Sequence, residues 1–345
     1  IYEAIWHHDS EQVYFYSPPP AHQIIKSDFD GKNASAIISV SESLSPRMVR
    51  VPDDKNLLFS TERKNFNNRW LAGYENTVAV DNSSVIDRSP AILHGSNRYI
   101  FASERSGRMQ LYMADNQSTQ ARIISNFTHS YPIGYMSISG NNQKLLLSIG
   151  NKVYCLPMNE LSAITPITTI KQEYLMYTSS DPIISIDWFT EQGIAITAVK
   201  NGNPELIVVD LFGEVLALPK GQWAFGFMDS EHPKNLYLIA QQSNLLYHAF
   251  SDASLDNTSL NLSNLTNMQI ALPSEFYHAK LDNNALYYVL TESESEFLHI
   301  VPLDNQLSNN KLLLNDFSSY DVSLGKIMVS DMDSREGDIH RTMYE

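Results

Sequence analysis

The run Arg98-Tyr99-Ile100-Phe101-Ala102-Ser103 decides the reading of this chain. A polar, charged or small residue leads into an apolar-x-apolar core inside an extended segment. The same pattern returns as Val13-Tyr14-Phe15, Leu57-Leu58-Phe59, Leu145-Leu146-Leu147, Ile194-Ala195-Ile196, Leu236-Tyr237-Leu238, Leu286-Tyr287-Tyr288 and Ile327-Met328-Val329. Counted from the third residue of each, the steps are 44, 42, 46, 49, 42, 50 and 41. Strand-like units repeating every ~40–50 residues are the mark of a β-propeller. Such a fold places function on loops around a ring rather than in a local catalytic motif.

At 345 residues the chain is long enough for two domains. Eight repeats use all of it, so the expectation is one propeller domain over 1–345. The approximate blades are 1–43, 44–86, 87–130, 131–173, 174–220, 221–271, 272–316 and 317–345. Net charge is −15, from 24 basic and 39 acidic residues. That argues against direct nucleic-acid contact, which needs a basic patch, and against an anionic membrane surface. The one cysteine, Cys155, reads as a small buried hydrophobe in a strand. Its scarcity suits an oxidising space without disulfides and a reducing one equally. No apolar run approaches the ~18 residues of a membrane span, and no signal peptide is visible. The chain starts at Ile1 inside a strand, so it reads as a processed product or an excised fragment. An upstream anchor, signal or further domain fits that start.

Within the second repeat, Met48 to Val51 reads as the inner strand and residues 52–56 as a turn. Strands follow at 57–61, 69–74 and 77–80. The third repeat gives Ala91 to Leu93, a turn at 95–97, then strands at 99–103, 109–114 and 121–125. An X-Pro step recurs before the inner strand: Ser45-Pro46, Ser89-Pro90, Tyr131-Pro132, Asp181-Pro182 and, more loosely, Leu272-Pro273. Proline fixes φ and removes a donor, so it suits the start of a strand. Turns after the third strand recur as Asp28-Phe29-Asp30-Gly31 and Asp210-Leu211-Phe212-Gly213. No convincing helix is present; residues 158–164 have a weak helical look. Residues 251–269 read as the longest loop. The eighth repeat supplies strands at 320–324, 326–331 and 338–344, three where four are expected. Either residues upstream of Ile1 complete it, or the ring closes without a shared strand.

The third repeat runs Ser89-Pro90, a strand, Ser103-Glu104-Arg105-Ser106-Gly107, then Leu111-Tyr112. The last carries Ser334-Arg335-Glu336-Gly337 and then Ile339-His340. Both resemble the repeat of TolB-like, WD-type propellers: Ser-Pro, strand, a Ser-x-Arg-x-Gly turn, then Ile/Leu-Tyr. The second repeat, with Ser60-Thr61-Glu62-Arg63 and Arg69-Trp70, is a looser copy, and the fourth to seventh keep the strands but lose the turn. The resemblance covers the whole chain as a fold and two or three repeats as a motif. Three protein types carry similar blades. They are periplasmic TolB-type interaction proteins, the non-catalytic propellers of prolyl-oligopeptidase-like peptidases, and the extracytoplasmic sensor regions of CadC/ToxR-type membrane-anchored winged-helix transcription regulators. The third type implies an upstream DNA-binding region and one membrane helix.

Catalytic signals are sought and not found. A Gly-x-Ser-x-Gly elbow is absent; Gly134-Tyr135-Met136-Ser137-Ile138-Ser139-Gly140 has the wrong spacing and reads as an inner strand. No phosphate loop, dinucleotide fingerprint or His-Glu-x-x-His zinc pattern occurs. His7-His8-Asp9 is the densest ligand-like cluster, but strand neighbours point to opposite faces, so a polar turn is the reading over a metal site. Asp28 and Asp30 with Gly31 resemble the start of a calcium loop but lack its bidentate Glu, so a tight turn is expected. Glu292, Glu294 and Glu296 alternate and would line one face of an extended, solvated segment. Arg63, Arg105 and Arg335 fall at similar positions and read as braces for turns, with an anion or partner role as the other option. Trp6, Trp188 and Trp223 fall in or near inner strands, between sheets or lining the channel.

The expectation is an all-β propeller of four-stranded antiparallel blades, eight in number with seven as the alternative. Catalytic residues, metal and cofactors are none, and the ligand-binding residues are unknown. The leading function is a non-catalytic sensor or interaction domain. It presents one face of the ring, or the channel mouth, to a protein or small-molecule ligand and signals to a tethered regulator. The rivals are the propeller of a peptidase and a free TolB-like periplasmic scaffold.

Overall fold

Alternating apolar residues give each strand a face to bury, and antiparallel pairing satisfies its backbone. The computed structural model describes residues 4–7, 10–17, 23–39, 43–50, 56–71, 77–79, 85–115, 118–128, 133–162, 164–229, 232–251, 262–274, 276–293, 295–304, 310–314 and 318–343. The first repeat forms β1 (Ala4–Trp6), β2 (Gln12–Ser17), β3 (Gln23–Asp28) and β4 (Ser35–Ser39), and the second β5 (Ser43–Arg50), β6 (Asn56–Leu71) and β7 (Thr77–Ala79). The third forms β8 (Asp87–Ile92), β9 (Arg98–Ser103), β10 (Gln110–Asp115) and β11 (Ser118–Ile123). The fourth forms β12 (Ile133–Ile138), β13 (Lys144–Ile149), β14 (Lys152–Pro157) and β15 (Leu175–Thr178). The fifth has β16 (Ile183–Thr190), β17 (Gly193–Lys200) and β18 (Asn203–Asp210). The sixth has β19 (Trp223–Met228), β20 (Asn235–Ala240), β21 (Leu245–Ser251) and β22 (Leu262–Ala271). The seventh has β23 (Tyr277–Asp282), β24 (Ala285–Glu292), β25 (Ser295–Pro302) and β26 (Asn310–Leu314), and the eighth β27 (Ser319–Ser323) and β28 (Lys326–Met343). Helix is confined, among the described residues, to two short 3-10 turns at Met158–Glu160 and Gln172–Tyr174. The all-β propeller class expected from the repeat is therefore present, with all eight repeats in strands.

The chain divides into two compact units, Ile1–Asn65 with Asp333–Glu345, and Phe66–Met332. In the smaller unit β1 to β4 pair in sequence order. Its core joins Tyr14, Tyr16 and Ile24 to Met48, Leu57 and Phe59 of the second repeat.

In the larger unit the first strands of six repeats form a closed circuit. β8 lies beside β12, β12 beside β16, β16 beside β19, β19 beside β23, β23 beside β27, and β27 beside β8 again. Every neighbouring pair of repeats in this circuit shares an apolar seam. Ile100 and Leu111 of the third pack with Leu145 and Leu147 of the fourth. Leu146 and Val153 meet Trp188 and Ile194. Phe189 and Leu206 meet Trp223 and Leu238. Phe225 and Ile239 meet Leu286 and Tyr288. Val289 and Leu298 meet Val322 and Val329. Met328 closes the circuit against Tyr99 and Phe101. Fully burying one such side chain is worth about 1.5–3 kcal/mol.

Several local expectations are corrected. β6 is one strand of 16 residues, not two, and β28 is one strand of 18. Ser334 to Gly337, read as a turn, lies inside β28. The two long strands are neighbours in the order β27-β28-β6-β5, and β7 also pairs with β6. Each therefore satisfies the other's backbone. Two of the X-Pro steps sit inside strands, at the register shifts between Leu44 and Met48 and between Arg88 and Ala91. A bulge leaves one residue unpaired, which is where a proline costs no ladder bond. Similar shifts mark β12, β16, β19 and β23. Tyr131 and Pro132 lie outside the described residues. The loop expected at 251–269 gives way to β22 from Leu262, paired with β21 through two register shifts.

Gly226 marks how closely the seams fit. A Cβ there meets Leu206 Cδ2 and Phe189 Cε2, both at 2.9 Å. Gly226→Ala is expected to lower unfolding stability by about 1–3 kcal/mol, read from urea midpoints; an unchanged midpoint would refute the close seam.

Candidate functional site on the axis of the circuit

The six inner strands surround a polar axis. Lys280 of β23 projects into it and its Nζ lies 2.6 Å from Asp321 Oδ1 of β27. The other oxygen of Asp321 accepts the Ile92 N–H of β8 at 2.6 Å. Asp187 of β16 accepts Ser137 Oγ of β12 at 2.7 Å and the Trp188 N–H at 2.9 Å. Asp282 accepts the Gly325 N–H at 2.9 Å. Tyr320 donates its hydroxyl to the backbone carbonyls of His278 and Tyr287. Buried polar groups need such partners, since an unmet one costs about 1–3 kcal/mol.

The circuit is stitched shut by His94. Its Nε2 faces the Ile138 carbonyl at 3.2 Å, and its Nδ1 faces Ser323 Oγ at 2.8 Å. A carbonyl only accepts, so Nε2 carries a proton toward it. Asn142 donates to the His94 carbonyl at 2.9 Å and accepts the His94 N–H at 2.8 Å. Lys326 Nζ caps the Ser96 carbonyl at 2.9 Å and Asn97 Oδ1 at 2.8 Å.

Two small spaces flank Lys280. One, of about 40 Å³, is lined by all six inner strands, including Asp187, Met228, Asp282 and Asp321. The other, of about 20 Å³, lies beside Ser89, Tyr135, Ser185, His278 and Tyr320. A water needs about 10–15 Å³, so these spaces suit single waters. Trp188 lines the larger one, and its buried indole N–H has no protein hydrogen-bond partner.

Charge on the axis follows burial and pairing. Burial pulls Lys280 down, but Asp321, Asp187 and Asp282 outweigh it and hold the ammonium above the ordinary lysine range. Burial pushes Asp321 up, against the pull of Lys280 and the Ile92 N–H. The 2.6 Å contact is that of an ion pair. Burial lowers His278 to about 4, with Lys280 adding to the effect. Burial raises Tyr135 to about 12.

No known family matches this chain, and no curated protein matches it. Among solved structures it is similar in fold to TolB from Acinetobacter baumannii, with 14% identity and a TM-score of 0.43, over 95% of this chain and 65% of that one. It is similar to the tricorn protease at 10% identity and a TM-score of 0.47, over 96% of this chain and 43% of that one. It is also similar to a chain of a nidogen/laminin complex at 9% identity and a TM-score of 0.46, over 73% of this chain and 92% of that one. The chain thus spans less than two thirds of the tricorn protease and TolB chains. These likenesses concern the fold alone.

The residues singled out from sequence fall elsewhere. His7 is buried with its ring 5.5 Å from that of Tyr14, while His8 and Asp9 lie outside the described residues. Asp28 accepts Asn33 Nδ2 at 2.7 Å and Gln12 Nε2 at 3.3 Å, and Asp30 accepts Lys32, with Gly31 at φ +81°: the turn geometry. Glu292 and Glu296 do not share an extended face. They sit on opposite arms of the β24–β25 hairpin, where Glu292 pairs with Ser295. Glu292 binds Lys311 and His299, and Glu296 accepts the Tyr277 hydroxyl. Glu294 is outside the described residues. Arg105 braces its turn, with Nη2 2.5 Å from Asp87 Oδ2, Nε 3.0 Å from Ser103 Oγ, and its plane over Phe101 and Tyr112. The side chains of Arg63 and Arg335 lie outside the described set. Trp188 and Trp223 are buried in seams, but Trp6 is 57% exposed.

Cys155 is buried, and burial pushes its thiol up to about 11. The thiolate is the reactive form. Native protein at pH 8 is expected to leave it unlabelled by a thiol reagent, with full labelling in denaturant. Rapid native labelling would contradict its place in the seam.

Lys280, Asp187, Asp282 and Asp321 escaped the sequence reading. Their signal is a charge inside an otherwise apolar inner strand, as in Ile186-Asp187-Trp188 and Tyr320-Asp321-Val322. Charged residues are almost never fully buried unless paired, so each such residue asks for a partner on a neighbouring strand.

Proposed function

We propose that this chain is a non-catalytic recognition propeller: the periplasmic, signal-sensing part of a CadC/ToxR-type membrane-anchored transcription regulator. The observation that carries the reading is the filled axis. Its ion pair and hydrogen bonds join inner strands across the axis and leave spaces of about 40 and 20 Å³, while clefts of about 490 and 590 Å³ lie elsewhere in the larger unit. Ligand pockets usually span about 300–1,000 Å³. Recognition therefore belongs to the outer clefts and faces, and a cross-braced ring suits passing a binding event to a tethered effector. The Ser-Pro and Ser-x-Arg-x-Gly resemblance of the third repeat is one that extracytoplasmic sensors share with TolB-type proteins and peptidase propellers. Protein or small-molecule ligands are the partners this reading implies.

Reading the gene on both sides of this segment tests it. The expected result is an upstream winged-helix region and one apolar helix of about 20 residues. A hydrolase region with a nucleophile elbow downstream would make the propeller a peptidase gate and overturn the sensor reading. A cleavable signal alone would make it a free TolB-like scaffold and overturn the regulator assignment.

A further inference from the structure

Between the third and fourth repeats lies a cleft of about 490 Å³. One wall is a face of the β9–β10–β11 sheet, carrying Arg98, Met113 and Arg122. The other is the connection after β14, carrying Leu161 and Ile164. The pairing register sets Arg122 opposite Met113 and Arg98 opposite Asp115, so the two arginines leave the same face of the sheet on either side of Met113. Arg98 donates to the sulfur of Met113, a weak acceptor. Among the described residues, neither arginine has a carboxylate partner. That is unusual in a chain with 39 acidic and 24 basic residues. Beneath them Ile124 and Leu161 form an apolar floor, and Ile164 stands at the rim 91% exposed.

We infer that this cleft binds an amphiphilic anion, with one carboxylate head between Arg98 and Arg122 and an aliphatic tail over Ile124, Leu161 and Ile164. Arginine presents a planar fork that matches a carboxylate with two parallel hydrogen bonds. The tail covers Ile164, which water otherwise meets, above the nearly buried Ile124 and Leu161, so a bare anion or a bare alkyl chain makes only half of the contacts. The site is separate from the axis and stands whether or not the chain belongs to a regulator.

Calorimetric titration with decanoate, below its micelle concentration, tests the assignment. Acetate and decanol serve as the head-only and tail-only probes. Saturable binding of decanoate at one site is expected, with at least tenfold weaker binding of both partial probes. Arg98→Gln and Arg122→Gln are each expected to weaken decanoate about tenfold, the loss of one charge-assisted bond. Ile164→Ser is expected to weaken decanoate and leave acetate unchanged. All three positions are surface residues, and circular dichroism of each variant checks its fold. Binding of decanoate that is unaffected by both arginine changes would overturn the inference. So would equal binding of decanol, or no decanoate binding at millimolar concentration.

Discussion

Asp321→Ala is expected to lower unfolding stability by about 3–5 kcal/mol, the usual loss when one member of a buried ion pair is removed. The side chain is only 7% exposed and holds two donors, Lys280 Nζ and the Ile92 N–H, both at 2.6 Å. Alanine strands both. Lys280, itself 14% exposed, then keeps a charge with its nearest counter-ion gone. The loss also strikes the junction of β27 with β8, where the circuit closes. The paired change Lys280→Met with Asp321→Leu removes both charges and keeps volume, and it is expected to cost far less than the single change, since a buried pair is often matched by apolar residues. Urea unfolding of the three proteins measures this. A cost below about 1 kcal/mol for Asp321→Ala, or a double change as damaging as the single one, contradicts the pairing on the axis.

The second large effect is acid destabilisation through His278. In the folded chain its ring titrates at about 4, against 6.5 for an ordinary histidine, because it is buried and faces Lys280. Above pH ~6.5 both states hold it neutral and it contributes no pH dependence. As pH falls toward 4 the unfolded state takes a proton that the folded state refuses, so stability drops; below that both are protonated and the loss is complete. At ~1.4 kcal/mol per pH unit, the loss from this one group is about 3 kcal/mol. Its neighbours Tyr135 and Tyr277, with rings 5.4 and 5.2 Å away, stay neutral throughout this window. His278 also holds φ at +49°, a conformation that asparagine tolerates. His278→Asn should therefore keep the backbone and flatten the stability profile between pH 6.5 and 4 by about that amount. A variant with the same acid slope as the parent would show that His278 is not the buried group responsible.

The fold was legible because it is written locally. Each apolar-x-apolar run makes a strand from its own residues, and eight of them at a steady interval need no knowledge of neighbours. The Asp28 and Asp210 turns were legible for the same reason: Asp210 Oδ1 accepts the Phe212 and Glu214 N–H groups, four residues away at most. The long strands β6 and β28 were not, since residues 62–68 and Ser334 to Gly337 read as breaks between strands until another strand lies alongside to hold them extended. The axis was hidden by distance along the chain. Ser137 meets Asp187 across 50 positions, Lys280 meets Asp321 across 41, and Asp321 meets Ile92 across 229. A lone aspartate in an apolar strand signals burial without naming its partner. Arg105 shows the middle case: its neighbour Ser103 and the preceding strand's Asp87 lie within 18 positions, so its role as a brace could be read from the motif.

Everything placed on the axis depends on the eighth repeat closing onto the third. At that junction the Ser89 N–H donates to Ser319 Oγ at 2.9 Å, across 230 positions. The direct measurement is a cysteine pair, Ser89→Cys with Ser319→Cys, oxidised in the folded protein and mapped by mass spectrometry of its digested peptides. A closed circuit sets position 89 directly against the side chain of position 319, so oxidation is expected to yield one linked peptide pair, with buried Cys155 left as a thiol. Two free thiols in a folded, oxidised protein would mean that β27 does not lie against β8, and the axial network would fall with it.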